Sequence, residues 1–438
     1  MSRHADPLRL LLGQRPMTAR QLVENTGLSQ PTVSRALAKL GAEIVRFGSG
    51  ASIQYAIRDY SRGLDLVPVW RVNDAGQIHP LGTLVPVRPE GFVMIQGDGV
   101  AIHSAGLPWW MFDMRPQGYL GRAYATAHAA NLGLPLNPEH WTDNHALRAL
   151  LAHGYDVVGN LLLGDIARDR FLALPAPTPI ADRNEAYPQL ALAAGAGETP
   201  GSSAGGEQPK FCAYTEKGHV LVKFSASDDN PVAERWRDLL LAEHLALATL
   251  GIDSEVLDIG GQRFMELPRF DRIGELGRIG VFSLKALDAE FVGNALASWP
   301  IIVARLAAGG LVQPQAVEGS ALLWAFGTLI GNSDMHTGNL SFISRDGQSY
   351  QLAPAYDMLP MGFAPRSGGG LVDTLSPANL SGVIYGDVWR QALQLAVVFL
   401  AKVRDARTAG GFSGGFARCI TGLAQHIEDA SLRIARLA

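Results

Sequence analysis

Residues 329–359 read LIGNSDMHTGNLSFISRDGQSYQLAPAYDML. Asp334 precedes Asn339 by five positions, and Asp357 follows after a short alternating segment. One carboxylate to orient a hydroxyl nucleophile, with an amide oxygen and a second carboxylate to hold Mg²⁺ against nucleotide phosphates, is a phosphoryl-transfer arrangement. The stretch therefore predicts Asp334 as catalytic base and Asn339 and Asp357 as metal ligands. The apolar run LLWAFGTLIGN before it reads as an anchoring helix, Gly338 as the residue that allows a tight turn, and His336 as an organiser of the loop.

Such a site needs a cation for the phosphates, and the upstream sequence offers one. In GHVLVKFSA, Val220, Val222 and Phe224 share one face of a strand, so Lys223 projects to the other, into a cleft. A carboxylate on the following helix would hold that lysine: Glu234 is the first choice, Glu243 the second. The strand FMELPRFDR then places Glu266, Leu267 and Pro268 where a hinge would bond an adenine edge. The loop SSAGGEQPK, residues 202–210, supplies Gly205 and Gly206 for close backbone approach to phosphate and ends in Lys210. It lacks the GK[ST] ending of a P-loop, so that class is disfavoured, and taken alone it equally fits a glycine-rich linker.

At the front, Thr18 can cap a helix closed by Gly27, and Ser29 and Pro31 open a second helix with Val33, Ala36, Leu37 and Leu40 on its buried stripe. Helix, glycine turn, helix, followed by the alternating segment 44–57, reads as a winged helix-turn-helix. Gln30, Thr32, Ser34 and Arg35 would face the major groove, with Lys39 and the wing's Arg46 on phosphates. Charge agrees: residues 1–60 carry eight Lys and Arg against four Asp and Glu, whereas the rest carries 29 against 37 within a net charge of -4.

Apolar residues at 47% and charged residues at 18% over 438 residues describe an ordered multi-domain protein. Two cysteines, Cys212 and Cys419, cannot build a disulfide framework or a multi-cysteine zinc site. No window suits a signal peptide or a membrane span, which predicts a soluble, cytoplasmic protein with no membrane partner. Residues 61–105 read as short strands, LPWWMFDMRPQG as an aromatic packing anchor, and residues 175–206 as a flexible loop.

The strings SSAGGEQPK, LVKFS, MELPRFDR, GNSDMHTGNLSF and LAPAYDML, with LPWWMFDMRPQG, resemble the HipA serine/threonine kinase toxins from about residue 65 onward. The amino-terminal helix-turn-helix makes the chain especially similar to the YjjJ-type members. The resemblance implies an α+β, bilobed kinase-like fold with an N-terminal winged helix-turn-helix domain. It also implies ATP and Mg²⁺ as cofactors and a serine or threonine of a protein as acceptor. By position, Lys223 would meet ATP phosphates, and Ser203 would be the loop serine whose autophosphorylation switches the enzyme off. It implies a possible toxin role with a HipB-like antitoxin, although here a DNA-reading module is fused to the kinase. Double-stranded DNA would bind through residues 1–60, and a homodimer would suit a palindromic site. The expected division is 1–60 winged helix, 61–175 small β-rich piece, 176–270 ATP-lysine lobe and 271–438 helical lobe. Two further readings remain: a transcription regulator with a nucleotide-sensing body, and, because DMHTGN also fits small-molecule kinases, a small-molecule kinase.

Overall fold

The computed structural model describes residues 4–196 and 208–437, so Ser203, Gly205 and Gly206 lie outside the described residues. The chain opens with α1 (Ala5–Leu12), β1 (Met17–Thr18), α2 (Ala19–Thr26), α3 (Gln30–Leu40), β2 (Ile44–Phe47) and β3 (Gln54–Ile57). Thr18 caps α2 in a reciprocal pair with Gln21, and Gly27 ends it at φ 68. Ser29 starts α3 without a side-chain cap bond, its hydroxyl lying 2.9 Å from that of Thr32. Leu8, Leu12, Leu22, Val33, Leu37 and Leu40 close the small core. The three strands pair in the order β1-β3-β2, a winged helix-turn-helix.

The wing is not free on its inner face. Val45, Phe47 and Ala56 pack against Val85, Val87 and Val93 of the next unit, and the Phe47 ring stacks on His103 with centroids 4.9 Å apart. The Gly48 amide donates to the Ala101 carbonyl at 3.2 Å. That next unit is an antiparallel five-stranded sheet of order β7-β6-β5-β4-β8, from β4 (Val67–Val72), β5 (Ile78–Pro86), β6 (Phe92–Gln96), β7 (Ala101–Ser104) and β8 (Leu161–Leu163). The helices α4 (Gly118–Leu132), α5 (Asp143–His153) and α6 (Gly164–Leu172) accompany it. Trp109, in the aromatic segment, packs edge-on to Phe291 and Tyr350 and tilted on Phe282, joining this unit to the carboxy-terminal lobe.

Where a flexible loop was predicted over residues 175–206, a helix intervenes: α7 (Arg183–Ala196) contains Pro188 and buries Tyr187, Ala191 and Ala194. These side chains pack on Phe211, Val222 and Phe264 of the following sheet, so tertiary burial overrides the Pro and Gly content of the stretch. That sheet has the order β11-β12-β10-β9, built from β9 (Lys210–Thr215), β10 (Gly218–Phe224), β11 (Glu255–Ile259) and β12 (Gln262–Pro268), with α8 (Pro231–Thr249) after β10. The hairpin β13 (Arg272–Ile273) and β14 (Gly277–Arg278) leads into β15 (Gly280–Ser283). The second lobe adds α9 (Leu284–Phe291), α10 (Trp299–Ala308), α11 (Gln315–Leu329), β16 (Ser341–Ser344), β17 (Gln351–Leu352), α12 (Gly386–Thr408) and α13 (Ala417–Ile434). Trp299, Phe326, Trp389 and Phe399 are fully buried in its core. Sheet lobe and helical lobe flank a cleft, a bilobed α+β arrangement.

Candidate phosphoryl-transfer site

The cleft has a volume of about 570 Å³ and is lined by Lys210, Leu221, Lys223, Ile252, Leu267 and Pro268 from the sheet side, and by His336, Gly338, Asn339 and Asp357 from the helical side. Strand alternation explains the first set. Lys223 faces Lys210 across β9 and Met265 across β12, on the sheet face opposite the one α7 covers.

Lys223 is 2% exposed, and its ammonium donates to Glu243 Oε1 at 2.6 Å and to Asp357 Oδ1. Burial opposes its charge, but Asp357 and Glu243 together outweigh burial and raise it above the ordinary ammonium range. Burial would likewise raise Asp357, yet Lys223 and Lys210 hold it below the usual carboxylate range. Glu243 is pushed up by burial against the Lys223 charge, and its Oε2 has no partner among the described residues. Burial holds the Lys210 ammonium below its ordinary value.

The first-choice partner, Glu234, is corrected to Glu243. They stand nine positions apart on α8, and nine steps of about 100° turn the side chain half a revolution away. Glu234 lies instead near Gly415, whose added Cβ would stand 3.3 Å from Glu234 Oε2. Glu266 is corrected as an adenine-edge residue. It sits between Val222 of β10 and Glu255 of β11, so its backbone belongs to the ladder, and its carboxylate turns to the opposite face to meet Tyr187 and, at 3.1 Å, Arg183. Leu267 and Pro268 extend beyond the β11 pairing and line the cleft.

On the other wall, Asp334 is exposed at the loop tip and tied inward through its backbone. Its carbonyl accepts from Asn339 Nδ2 at 2.8 Å, which leaves the Asn339 amide oxygen uncommitted by that bond. Although the residue is exposed overall, partial desolvation of its carboxyl by the surrounding protein pushes Asp334 up, His336 opposes this and the Asp357 charge adds to it. His336 Nδ1 accepts from the Gly338 amide at 3.0 Å, and its carbonyl accepts from Trp299 Nε1 at 3.0 Å. Asp357 is held at φ 53, the left-handed region that few non-glycine residues occupy and that is common at functional sites.

Two residues of this wall escaped sequence reasoning. Asn332 Oδ1 accepts from the Asp334 amide at 3.1 Å, an Asx turn that the string GNSD could have disclosed. Tyr356 places its hydroxyl 2.8 Å from the Gly338 carbonyl and 2.6 Å from Ser341 Oγ, with its ring stacked on Phe270, and no local pattern announces it.

Among the described residues there is no group of three or more His, Cys, Asp or Glu side chains able to hold a metal. A divalent cation shared between Asn339, Asp357 and a ligand's own phosphate oxygens fits that donor set, since Mg²⁺ keeps few protein ligands. Among the described residues no helix is long and apolar enough to cross a membrane.

At the amino end, Gln30, Ser34, Arg35, Lys39 and Arg46 are exposed and Thr32 is half-buried. Arg35 Nε folds back on the Pro31 carbonyl at 3.2 Å. Arg46 points outward between the inward Val45 and Phe47.

Residues 8–43 match the family described as bacterial regulatory protein, arsR family, residues 64–172 the YjjJ-like toxin middle domain, and residues 202–396 the HipA-like C-terminal domain. The chain is 39% identical over 417 residues to Toxin YjjJ of Escherichia coli (strain K12), covering 92% of this chain and 94% of that protein. Among solved structures it is similar to the Shewanella oneidensis MR-1 toxin–antitoxin complex of HipA, HipB and operator DNA, with TM-score 0.47, 13% identity and coverage of 84% and 97% of the two chains. It is also similar to the Helicobacter pylori proinflammatory kinase CtkA, with TM-score 0.38, 14% identity and coverage of 53% and 92%.

Proposed function

The chain belongs to the YjjJ toxin family, and from that premise we propose that it is an ATP- and Mg²⁺-dependent protein serine/threonine kinase with a fused DNA reader. The observation that carries this reading is the convergence of Lys223, Asn339 and Asp357 on one cleft, with Asp334 anchored to its rim through Asn339.

Leu221, Ile252 and Leu267 offer an apolar wall for a purine ring, and Lys223 and Lys210 are the cations for its phosphates. Asn339 and Asp357 would hold the metal ion, which when bound neutralises charge on the transferring phosphoryl group. Asp334 accepts the proton of the acceptor hydroxyl as that oxygen attacks, and its exposure leaves it open to a serine or threonine side chain of another protein. Ser203, the resembling loop serine, is the site of self-modification; a phosphate there adds nearly two negative charges beside a loop that must cradle ATP.

DNA is read by Gln30, Thr32, Ser34 and Arg35, with Lys39 and Arg46 on phosphates, and a dimer would match a two-fold operator. Operator binding then needs no separate DNA-binding partner, so an antitoxin of HipB type would act on the kinase. Catalysis takes place in the cytoplasm.

Incubation with γ-labelled ATP and Mg²⁺, followed by mass spectrometry, tests the reading. Phosphate on protein serine or threonine, Ser203 among the sites, is expected. Transfer to metabolites alone, or tight nucleotide binding without transfer, overturns it.

A further inference from the structure

Asp334 and Asp357 lie on different loops, 23 residues apart in sequence, yet one buried side chain touches both. Asn332 is 5% exposed. Its Oδ1 accepts from the Asp334 amide at 3.1 Å, and its Nδ2 donates to the Asp357 carbonyl at 3.1 Å. We propose that Asn332 is a positioning residue that couples the two halves of the transfer site, fixing the acceptor-orienting loop relative to the metal-holding carboxylate. The proposal rests on the kinase reading above.

Asp334 is gripped at its N–H by Asn332 and at its C=O by Asn339. Asp357 is gripped at its N–H by Glu243 Oε1, at 3.1 Å, and at its C=O by Asn332. With φ at 53, Asp357 occupies a conformation the chain would leave if released, and its carboxylate would then swing away from the cleft. Asn332 sits at the point where both grips meet, just beyond the end of α11, and its own amide is fixed to the Gly327 carbonyl at 2.8 Å. An amide suits this task because one short group carries an acceptor on one side and a donor on the other. Aspartate keeps the acceptor and loses the donor; alanine loses both.

The test compares the wild-type chain with Asn332→Asp and Asn332→Ala in the full-length protein. Mg²⁺ is titrated against binding of a non-hydrolysable ATP analogue, alongside melting temperature and phosphoryl transfer. Because Glu243 still holds Lys223, coupling predicts that both variants bind the nucleotide alone within a few-fold of the wild type, but need about 10- to 100-fold more Mg²⁺ and transfer phosphate correspondingly slowly, as removal of a ligand-orienting partner does elsewhere. Folded variants whose Mg²⁺ requirement stays within twofold of the wild type overturn the proposal. A loss of metal-free and metal-dependent binding in equal measure overturns it too, because that is the mark of a merely structural residue. If neither variant folds, hydrogen exchange of the Asp334 amide in the wild type decides: protection is expected, and exchange as fast as in an open loop overturns the bridge. A wild type that binds no nucleotide refutes the kinase reading instead, leaving the bridge to be judged by that same exchange measurement.

Discussion

Lys223 and Glu243 form an ion pair at 2.6 Å in which the two side chains are only 2% and 0% exposed. A pair so buried is weak evidence for stability in itself, but removing Glu243 leaves the buried Lys223 ammonium with Asp357 as its remaining carboxylate partner. Glu243→Gln is therefore expected to destabilise the chain in a denaturant titration by less than the roughly 3 to 5 kcal/mol of a buried charge left with no partner, and to weaken nucleotide binding. Glu234→Gln, on the opposite side of α8, should leave both unchanged. A larger effect of Glu234→Gln than of Glu243→Gln would return the partner role to Glu234.

Asp334→Asn should slow phosphoryl transfer by about 10² to 10⁴-fold while leaving nucleotide affinity close to wild type, because the side chain acts on the acceptor hydroxyl and lies outside the cavity wall. A radiolabel assay with near-native turnover would remove Asp334 from the role of base.

Arg35→Ala should weaken a specific duplex by about 1 to 3 kcal/mol and relax its sequence preference, whereas Lys39→Ala should weaken all duplexes alike and reduce the salt slope by about 1. Binding titrations at several salt concentrations separate the two. Unchanged affinity and specificity for Arg35→Ala would mean that its fold back onto Pro31 persists on DNA.

Gly331 precedes the Asp334 loop at φ 77, and a Cβ there would stand 2.4 Å from Leu375 Cδ1. Backbone strain and overpacking act together, so Gly331→Ala should destabilise the chain by about 1 to 3 kcal/mol in urea unfolding. Because Leu375 also presses on Gly362, whose added Cβ would meet its Cδ2 at 2.5 Å, the same substitution should disturb the segment that follows Asp357.

Burial pushes the Cys419 thiol up to about 12, with Arg235 opposing. It also lies 3.4 Å from the Asp373 carboxylate. Since the thiolate is the reacting species, Cys419 should stay unmodified by iodoacetamide at pH 8 in the native protein and react on unfolding. Rapid native labelling found by peptide mapping would show that α13 opens.

Much of the site was legible because its chemistry is written locally. Asp334, His336 and Asn339 share one loop, and strand alternation alone put Lys223 in the cleft. The partner of Lys223 was harder, since a helix offers two glutamates and only the docking of α8 decides which one turns inward. Glu266 failed for a related reason: sequence shows a strand ending but not that β11 covers its other edge. In α7 the Pro and Gly content pointed away from a helix that exists because Tyr187 and two alanines cover the sheet. Asn332 needed both loops in place before its second hydrogen bond existed at all.

The wing shares one apolar core with the sheet behind it, Val45, Phe47 and Ala56 against Val85, Val87 and Val93. The DNA reader is thus not interchangeable cargo. A chain trimmed after residue 60 would carry a raw apolar sheet face, and another reader grafted there would need a matching hairpin. The orientation of α3 relative to that sheet is therefore set by apolar packing and not by a linker.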